Sequence, residues 1–330
     1  MALTTFDELR DHIASTTRET QVPTLIDSFI NLTGLEIHNF HPWTFLRRKQ
    51  TFATVADQED YNLDSEVDRI ALLRETSSPR RIRYVPDDLF YSLMPNPETV
   101  GSGTPAYYRL WEETSFSTNL AAADTIYVVS SSASDTSTFT VRVIGRNSSG
   151  EVVGETLTLN GITNVTSTTT WAASGLLQVS KSARTTGTIS VYRTTGATLL
   201  SEMEPDNLTP RFKRLSLFPI PSSVLTMRLE YYDRYRYLVH DTDVPQLDQK
   251  WMWVLREGTL AKMWEYKQKE TLFAQHQALF DRGLQTMKLQ DASNQDYVPV
   301  LQPRWGGVGG VVRRVADSVN DNYPVYSLQW

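Results

Sequence analysis

The chain has 330 residues, a net charge of −6 and no cysteine. The chain is long enough for two domains, and its hydrophobic fraction of 40% can fill two cores. The lack of cysteine excludes disulfides, thiolate metal sites and cysteine nucleophiles. The acidic balance argues against a protein that grips DNA phosphates, because such proteins are usually basic. It still allows a channel wall that DNA passes without adhering.

The first residues lack the basic, apolar and small-residue regions of a secretory signal peptide. No stretch of the sequence approaches the run of about 18 apolar residues that a membrane span requires. We therefore expect a protein without a membrane partner.

Two helices are expected at the start of the chain. Thr5 and Glu8 have the spacing of a capping box, which opens the first helix. The second helix is expected from Pro23, with Gly34 as a candidate end, although apolar residues beyond Gly34 could extend it. Pro42 ends the helical region, because a proline disfavours helix at the residue before it and lacks a backbone donor.

From residue 50 the apolar residues alternate, which is typical of strands. A short helix is expected from Pro86 to Leu93, between strands. The expected strands are Thr51–Val55, Val67–Leu73, Arg80–Val85 and Pro105–Trp111.

Residues 112–204 are rich in Ser and Thr, poor in charge and without a helical period. Their short, regularly spaced apolar segments predict a small β-sandwich. A disordered Ser/Thr linker is the alternative, but the alternating Val, Ile, Tyr and Leu residues argue against it. The earlier character returns near residue 205, with strands expected at Leu215–Pro221 and Leu225–Tyr237. The sequence therefore predicts an α+β fold. The sandwich is expected to be inserted into a core of helices and antiparallel strands formed by residues 1–111 and 205–290.

The stretch Pro245–Leu289 predicts two helices in a bundle. The first, expected to begin near Pro245, is apolar on two sides, so its own chain or a neighbouring copy must cover both. The second apolar side supplies the candidate residues for self-association, which are Trp253, Leu260 and Trp264. The second helix is expected over Glu270–Leu289. The pattern leaves open whether residues 267–269 interrupt the helical structure or lie in the middle of a helix.

Two glycines lie in the middle of the apolar stripes of these helices. Gly258 and Gly283 each cost about 1 kcal/mol relative to alanine in a helix interior. Either the helices approach closely at these positions or the glycines are an accident of composition.

Residues 291–330 predict an extended arm. Its glycines and prolines argue against a core of its own, whereas its aromatic and arginine side chains are the types enriched at interface anchors. We expect the arm to order on a partner. The candidate partner-binding residues are Trp305, Arg313, Arg314, Tyr323, Tyr326 and Trp330.

Little in the sequence indicates catalysis or metal binding. No histidine pair has the spacing of a metal site, and His276, on an apolar stripe, is interpreted as a core histidine. Asp241 and Asp243 could hold a hard cation, although acidic residues ahead of a helix are common. The Tyr231–Tyr237 run could stack on a single nucleic-acid strand, but a β-strand with one wet face is favoured. We expect no enzymatic activity, cofactor or metal.

The order of these parts resembles the head-to-tail adaptor, or connector, proteins of tailed bacteriophages. The resemblance covers roughly residues 1–110 and 205–290. Residues 112–204, with the segments Val141–Gly145 and Gly187–Val191, separately resemble the immunoglobulin-like modules of phage structural proteins. The segments that carry the adaptor resemblance are Trp43, Tyr61 with Leu63, Ile70, Arg83–Val85, Pro105–Trp111, Leu217–Pro221, Leu229–Tyr232 and the helical pair.

This resemblance implies a virion protein that forms a ring of twelve copies in the neck, after assembly in the host cytoplasm. The ring would dock on the portal protein, contact a tail or nozzle protein and enclose the DNA channel without sequence-specific binding. The resemblance carries over no catalytic residues. A carbohydrate- or surface-binding virion module acting through the β-sandwich is the alternative function, and a cell-wall hydrolase is a more distant one.

Overall fold

The computed structural model describes residues 4–19, 22–78, 81–93 and 102–293. The described residues combine helices with antiparallel sheets, which confirms the α+β class. The helices are α1 (Phe6–Thr17), α2 (Pro23–Phe40), α3 (Asp87–Leu93), α4 (Met252–Tyr266) and α5 (Glu270–Ser293). The strands are β1 (Arg47–Ala53), β2 (Asp60–Asn62), β3 (Val67–Glu75), β4 (Arg81–Tyr84), β5 (Tyr107–Thr114), β6 (Ile126–Ser130), β7 (Thr140–Asn147), β8 (Val152–Thr158), β9 (Val165–Thr166), β10 (Trp171–Lys181), β11 (Ile189–Arg193), β12 (Leu199–Met203), β13 (Phe212–Phe218) and β14 (Thr226–Asp233).

Strands from two separate parts of the chain, residues 47–114 and 212–233, form one seven-stranded sheet in the order β1-β14-β3-β4-β5-β13-β2. Its neighbours pair antiparallel except for β4 and β5, which are parallel. The two edge strands approach each other, because the rings of Phe52 in β1 and Tyr61 in β2 are 5.7 Å apart. The Tyr61 hydroxyl also donates to the Gln58 carbonyl at 2.9 Å and accepts from the Val55 amide at 3.1 Å. The sheet therefore curls around its own core.

The β-module, defined here as residues 115–211, contains a three-stranded sheet β10-β7-β8 and a four-stranded sheet β12-β11-β6-β9. Both sheets contribute to one apolar core, in which Trp171, Val141 and Ile189 are fully buried. The disordered-linker alternative is therefore wrong. The relation of the β-module to the immunoglobulin fold stays a prediction.

Helices α1, α2, α4 and α5 share a separate apolar core. The capping box at α1 is confirmed, because Thr5 and Glu8 each accept from the other's backbone amide. Helix α2 continues past Gly34 to Phe40, where the chain turns before Pro42. Gly34 does not end the helix but accommodates Tyr235, since a Cβ atom at Gly34 would lie 2.8 Å from the Tyr235 Cζ atom.

The helical pair has different limits from those expected. Helix α4 begins at Met252, not near Pro245. The residues between them have an irregular backbone, and their side chains bind backbone amides. The Gln246 side chain accepts from the Arg236 amide at 2.9 Å, and Asp248 caps a short 3₁₀ helix before α4. A left-handed Gln268, with φ of 55°, separates α4 from α5. Helix α5 extends to Ser293, past the expected end at Leu289, and residues 291–293, which were assigned to the predicted arm, are its last residues.

Both helical glycines mark close approach. A Cβ atom at Gly258 would lie 2.7 Å from Phe280 Cδ2 of α5 and within contact of Thr33 of α2. At Gly283 it would lie 2.9 Å from a Val254 methyl group of α4. An alanine at Gly258 would therefore be overpacked on two sides, which accounts for the poor helix former there.

Candidate assembly surfaces

The second apolar side of α4 packs inside its own chain. Leu260 is 2% exposed in the helical core, which makes it unavailable for contact with another copy and corrects that expectation. Trp253 and Trp264 are partly buried against the same core. The Trp264 indole Nε1 is buried and has no hydrogen-bond partner among the described residues. Leu260 is therefore covered by its own chain, whereas Trp253 and Trp264 are only partly covered.

The candidate partner-binding residues of the arm fall after Ser293. They lie outside the described residues, so their role stays a prediction. These residues are Trp305, Arg313, Arg314, Tyr323, Tyr326 and Trp330.

The histidine and aspartate side chains considered as candidates for metal binding have partners within the protein. His276 Nδ1 lies 2.7 Å from the Glu257 carboxylate, which also pairs with Arg256, so His276 joins α5 to α4. Asp241 accepts from the Arg10 guanidinium at 2.9 Å, and Asp243 accepts from the Val239 and His240 amides. Within residues 4–19, 22–78, 81–93 and 102–293, no group of three or more His, Asp or Glu side chains is placed to bind a metal.

The first part of the tyrosine- and arginine-rich run forms a strand with one buried and one partly exposed face, but the strand is shorter than the expected Leu225–Tyr237. Strand β14 ends at Asp233, and Tyr231 is buried in the sheet core. After the strand, the Asn31 side chain of α2 donates to the Leu238 carbonyl at 3.0 Å and accepts from its amide at 2.7 Å. The run therefore connects the sheet to the helices rather than presenting its rings to a nucleic acid.

Arg234 joins the sheet to the β-module. Its guanidinium donates to the Asp206 and Glu204 carboxylates, each at 2.7 Å, immediately after the last module strand. The guanidinium is largely buried, and Asp206 also accepts from the Tyr237 amide at 3.0 Å. Arg236 pairs in the same way with Glu66. Sequence reasoning missed this junction because the partners are separated by about 30 residues or more and no local pattern links them.

The ionisable groups at the junction have shifted pKa values. Burial raises the pKa of Asp206, but the hydrogen bond and charge of Arg234 outweigh burial and hold it below its ordinary value. Burial, together with the neighbouring Glu66 carboxyl, raises the pKa of Glu204. Burial lowers the pKa of Lys181 to about 8, although the charge of Asp206 opposes this. The junction thus depends on charge pairing in a poorly solvated environment.

An aromatic surface covers the outer side of β5 and the adjacent α3. We name it the cation–π platform and define it as Tyr91, Arg109, Trp111 and Arg214. The Arg109 guanidinium carbon lies 5.1 Å from the Tyr91 ring centre and 5.9 Å from that of Trp111, and Arg214 lies 5.1 Å from the Trp111 ring centre. Arg109 also donates to the Tyr91 hydroxyl at 2.8 Å.

The platform is held in place yet exposed. Trp111 lies at a β-bulge, because Arg214 pairs with Glu112 while the next residue, Leu215, pairs with Leu110. A bulge redirects a side chain, and 41% of Trp111 is exposed, together with 52% of Tyr91. The Trp111 indole donates to Asp60 at 3.2 Å, which fixes the ring. Exposed but ordered Trp, Tyr and Arg side chains are typical of protein interfaces.

Comparison with known families assigns the chain to a class of protein, the structural adaptor proteins of bacteriophage virions. A family model described as "SU10 adaptor protein" matches residues 4–146 and 156–303, and the chain belongs to this family. The match includes most of the β-module, beyond the resemblance expected from residues 1–110 and 205–290. Its interruption corresponds to the β7–β8 turn and much of β8.

A search of curated proteins found no match. Among the described residues, no helix has the combination of length and apolar character needed to cross a membrane.

Proposed function

We propose that the protein is a head-to-tail adaptor that forms a ring, docks on the portal protein and continues the DNA channel toward the tail. The observation that carries this proposal is the family match, which extends across the helices, the curled sheet and the β-module. The net charge of −6 also supports it, because an acidic wall lets a polyanion pass without adhering. Such a ring would have twelve copies and lie in the virion neck, after assembly in the host cytoplasm.

The covered α4 limits which surfaces can form the ring. Contacts between copies must use residues that the helical core leaves exposed, together with the partly exposed Trp253 and Trp264. Leu32 of α2 and Leu279 and Leu289 of α5 are 45%, 44% and 72% exposed. These side chains provide apolar contact area on the outside of the helices.

The same proposal gives each region a role. The helices act as a bundle that supports the ring, and the β-module is an immunoglobulin-like sandwich that projects from it. The arm contributes contacts to the portal or to neighbouring copies, while a tail or nozzle protein binds the opposite end of the ring.

Mixing the full-length protein with the portal protein of its own phage tests the proposal. We expect a stable complex with a mass equal to one portal plus twelve adaptor copies, measured by native mass spectrometry, and a ring with a central channel in electron micrographs. A portal from an unrelated phage is the matched control. A monomer that remains unbound with its own portal at micromolar concentrations would contradict the proposed function.

A further inference from the structure

The cation–π platform has an acidic margin. Four carboxylates contact its side chains, whereas the platform itself contributes two guanidinium groups. Arg109 lies 3.6 Å from Glu59 and 3.7 Å from Asp87, Asp60 accepts from Trp111, and Glu112 pairs with Arg214 at 2.8 Å. The Asp87 side chain is 52% exposed, so the margin retains negative charge toward solvent. A matching partner would therefore be basic and would carry apolar or aromatic side chains.

One segment of this chain has that chemistry. Residues 303–314 contain Arg304, Arg313 and Arg314, no acidic residue, and Trp305 among glycines and valines. Trp305 follows Ser293, the last described residue, by 12 positions. Twelve residues span about 40 Å when fully extended, which is comparable to the diameter of a small domain. A connection of this length is long enough to cross a small domain.

We propose that residues 303–314 dock on the cation–π platform. Trp305 packs on the exposed rings of Tyr91 and Trp111, and the arginines of the segment face the acidic margin. The platform is already ordered by its internal hydrogen bonds, so little side-chain freedom is lost on its side when the segment binds. This docking assigns a function to the aromatic surface of β5 that the adaptor role alone does not require.

Disulfide trapping in the full-length chain tests this docking, because the protein has no cysteine of its own. One cysteine replaces Asp88, on α3 beside the platform, and the second replaces Val308 in the segment. The control pairs Val308→Cys with Val152→Cys, which is 57% exposed on β8 of the β-module. Mild oxidation is followed by non-reducing electrophoresis and by mass spectrometry of the linked peptides.

We expect the Asp88→Cys/Val308→Cys protein to crosslink about tenfold more than the control, because docking raises the effective concentration of the two thiols. Adding Arg313→Glu and Arg314→Glu should reduce the crosslink several-fold, since both charges then oppose the acidic margin. A linked monomer shows that the segment comes from the same copy, and a linked dimer shows that it comes from a neighbour; either supports docking. Equal crosslinking in test and control proteins, or no effect of charge reversal, overturns it.

The experiment uses the adaptor alone. Its outcome therefore does not depend on portal binding, and a negative result would leave the proposed function intact.

Discussion

Thr114 and Phe212 are direct partners in the antiparallel pair β5–β13, and the whole β-module lies between them in the chain. The module's core is separate from the core of the seven-stranded sheet. The chain therefore leaves the sheet and returns to it at one point, which is the geometry of an insertion that can be removed without moving either strand.

Replacing residues 115–211 with Asn-Gly should leave a folded remainder. Thr114 and Phe212 are already paired, and Asn-Gly favours the two-residue turn that joins antiparallel strands. We expect native-like circular dichroism and a cooperative melt. The melting temperature should be lower than in the full chain, because Arg234 loses Asp206 and Glu204.

The matched control removes an equal length, residues 120–216, and joins Asn119 to Leu217 by the same dipeptide. These two residues are not register partners, and the deletion removes most of β13. We expect aggregation of this protein. If both deletions behave alike, the assignment of residues 115–211 as a separable unit is wrong.

Asp206→Asn should destabilise the junction by about 3 kcal/mol, the range found when one partner of a buried ion pair is removed. The pKa of Asp206 is lowered in the folded protein, so the stabilisation is present above its unfolded value of about 4 and is lost as pH falls through the folded pKa. The loss of free energy of unfolding should therefore be full at pH 7 and should shrink below about pH 4. Urea denaturation at several pH values measures it.

Glu202→Gln is the control for this variant, because Glu202 is exposed on β12 close to the same junction. It should change the free energy of unfolding by less than about 0.5 kcal/mol. A loss for Asp206→Asn that stays constant from pH 7 to pH 3 would contradict the assigned ion pair.

Gly258→Ala should destabilise the helical core although alanine is the better helix former. Propensity alone would stabilise the variant by about 1 kcal/mol. The new methyl group would overlap Thr33 and Phe280, and overpacking typically costs about 1–3 kcal/mol. We expect a net loss measured by thermal melting.

Gly283→Ala gives the comparison, since its nearest neighbours are a Val254 methyl group and the end of the Trp253 ring, at 2.9 and 3.0 Å. Its effect should be smaller than that of Gly258→Ala. A higher melting temperature for Gly258→Ala would mean that the helices can separate there without cost.

Truncation after Ser293 should leave the stability of the remaining domains unchanged, whereas truncation after Gln290 should lower it by about 1–3 kcal/mol. The shorter protein lacks Asp291, whose carboxylate accepts from the Thr44 hydroxyl at 2.5 Å and from the Thr44 amide at 3.2 Å. Differential scanning calorimetry of the two truncated proteins and of full-length Asp291→Ala separates the contribution of the Asp291 side chain from that of the deleted residues. Equal stability of the two truncations would show that this contact contributes nothing.

The sequence was sufficient to predict those elements whose structure is determined by residues close together in the chain. Thr5 and Glu8 satisfy each other's backbone within one helical turn, and the helix forms where the pattern predicts it. Alternation likewise predicted short strands within residues 112–204, because a strand with one buried face places apolar residues at every second position.

Contacts between distant residues explain where the predictions were wrong. Gly34 is a residue type that commonly ends helices, but here Tyr235, about 200 positions later in the sequence, fills the space beside it. Strand β14 ends at Asp233, and the next residue, Arg234, forms ion pairs with two carboxylates of the β-module, Glu204 and Asp206. Likewise, the cation–π platform depends on a bulge and on pairing between β5 and β13, which a single sequence does not specify.

The Asp291–Thr44 contact also has a mechanical consequence. Any tension on the chain beyond Ser293 reaches Asp291 before it reaches the rest of α5, and Thr44 lies three residues before β1. Part of a force applied to residues after Ser293 would therefore be transmitted to the start of the edge strand β1 and would not act only to unwind the C-terminal end of α5.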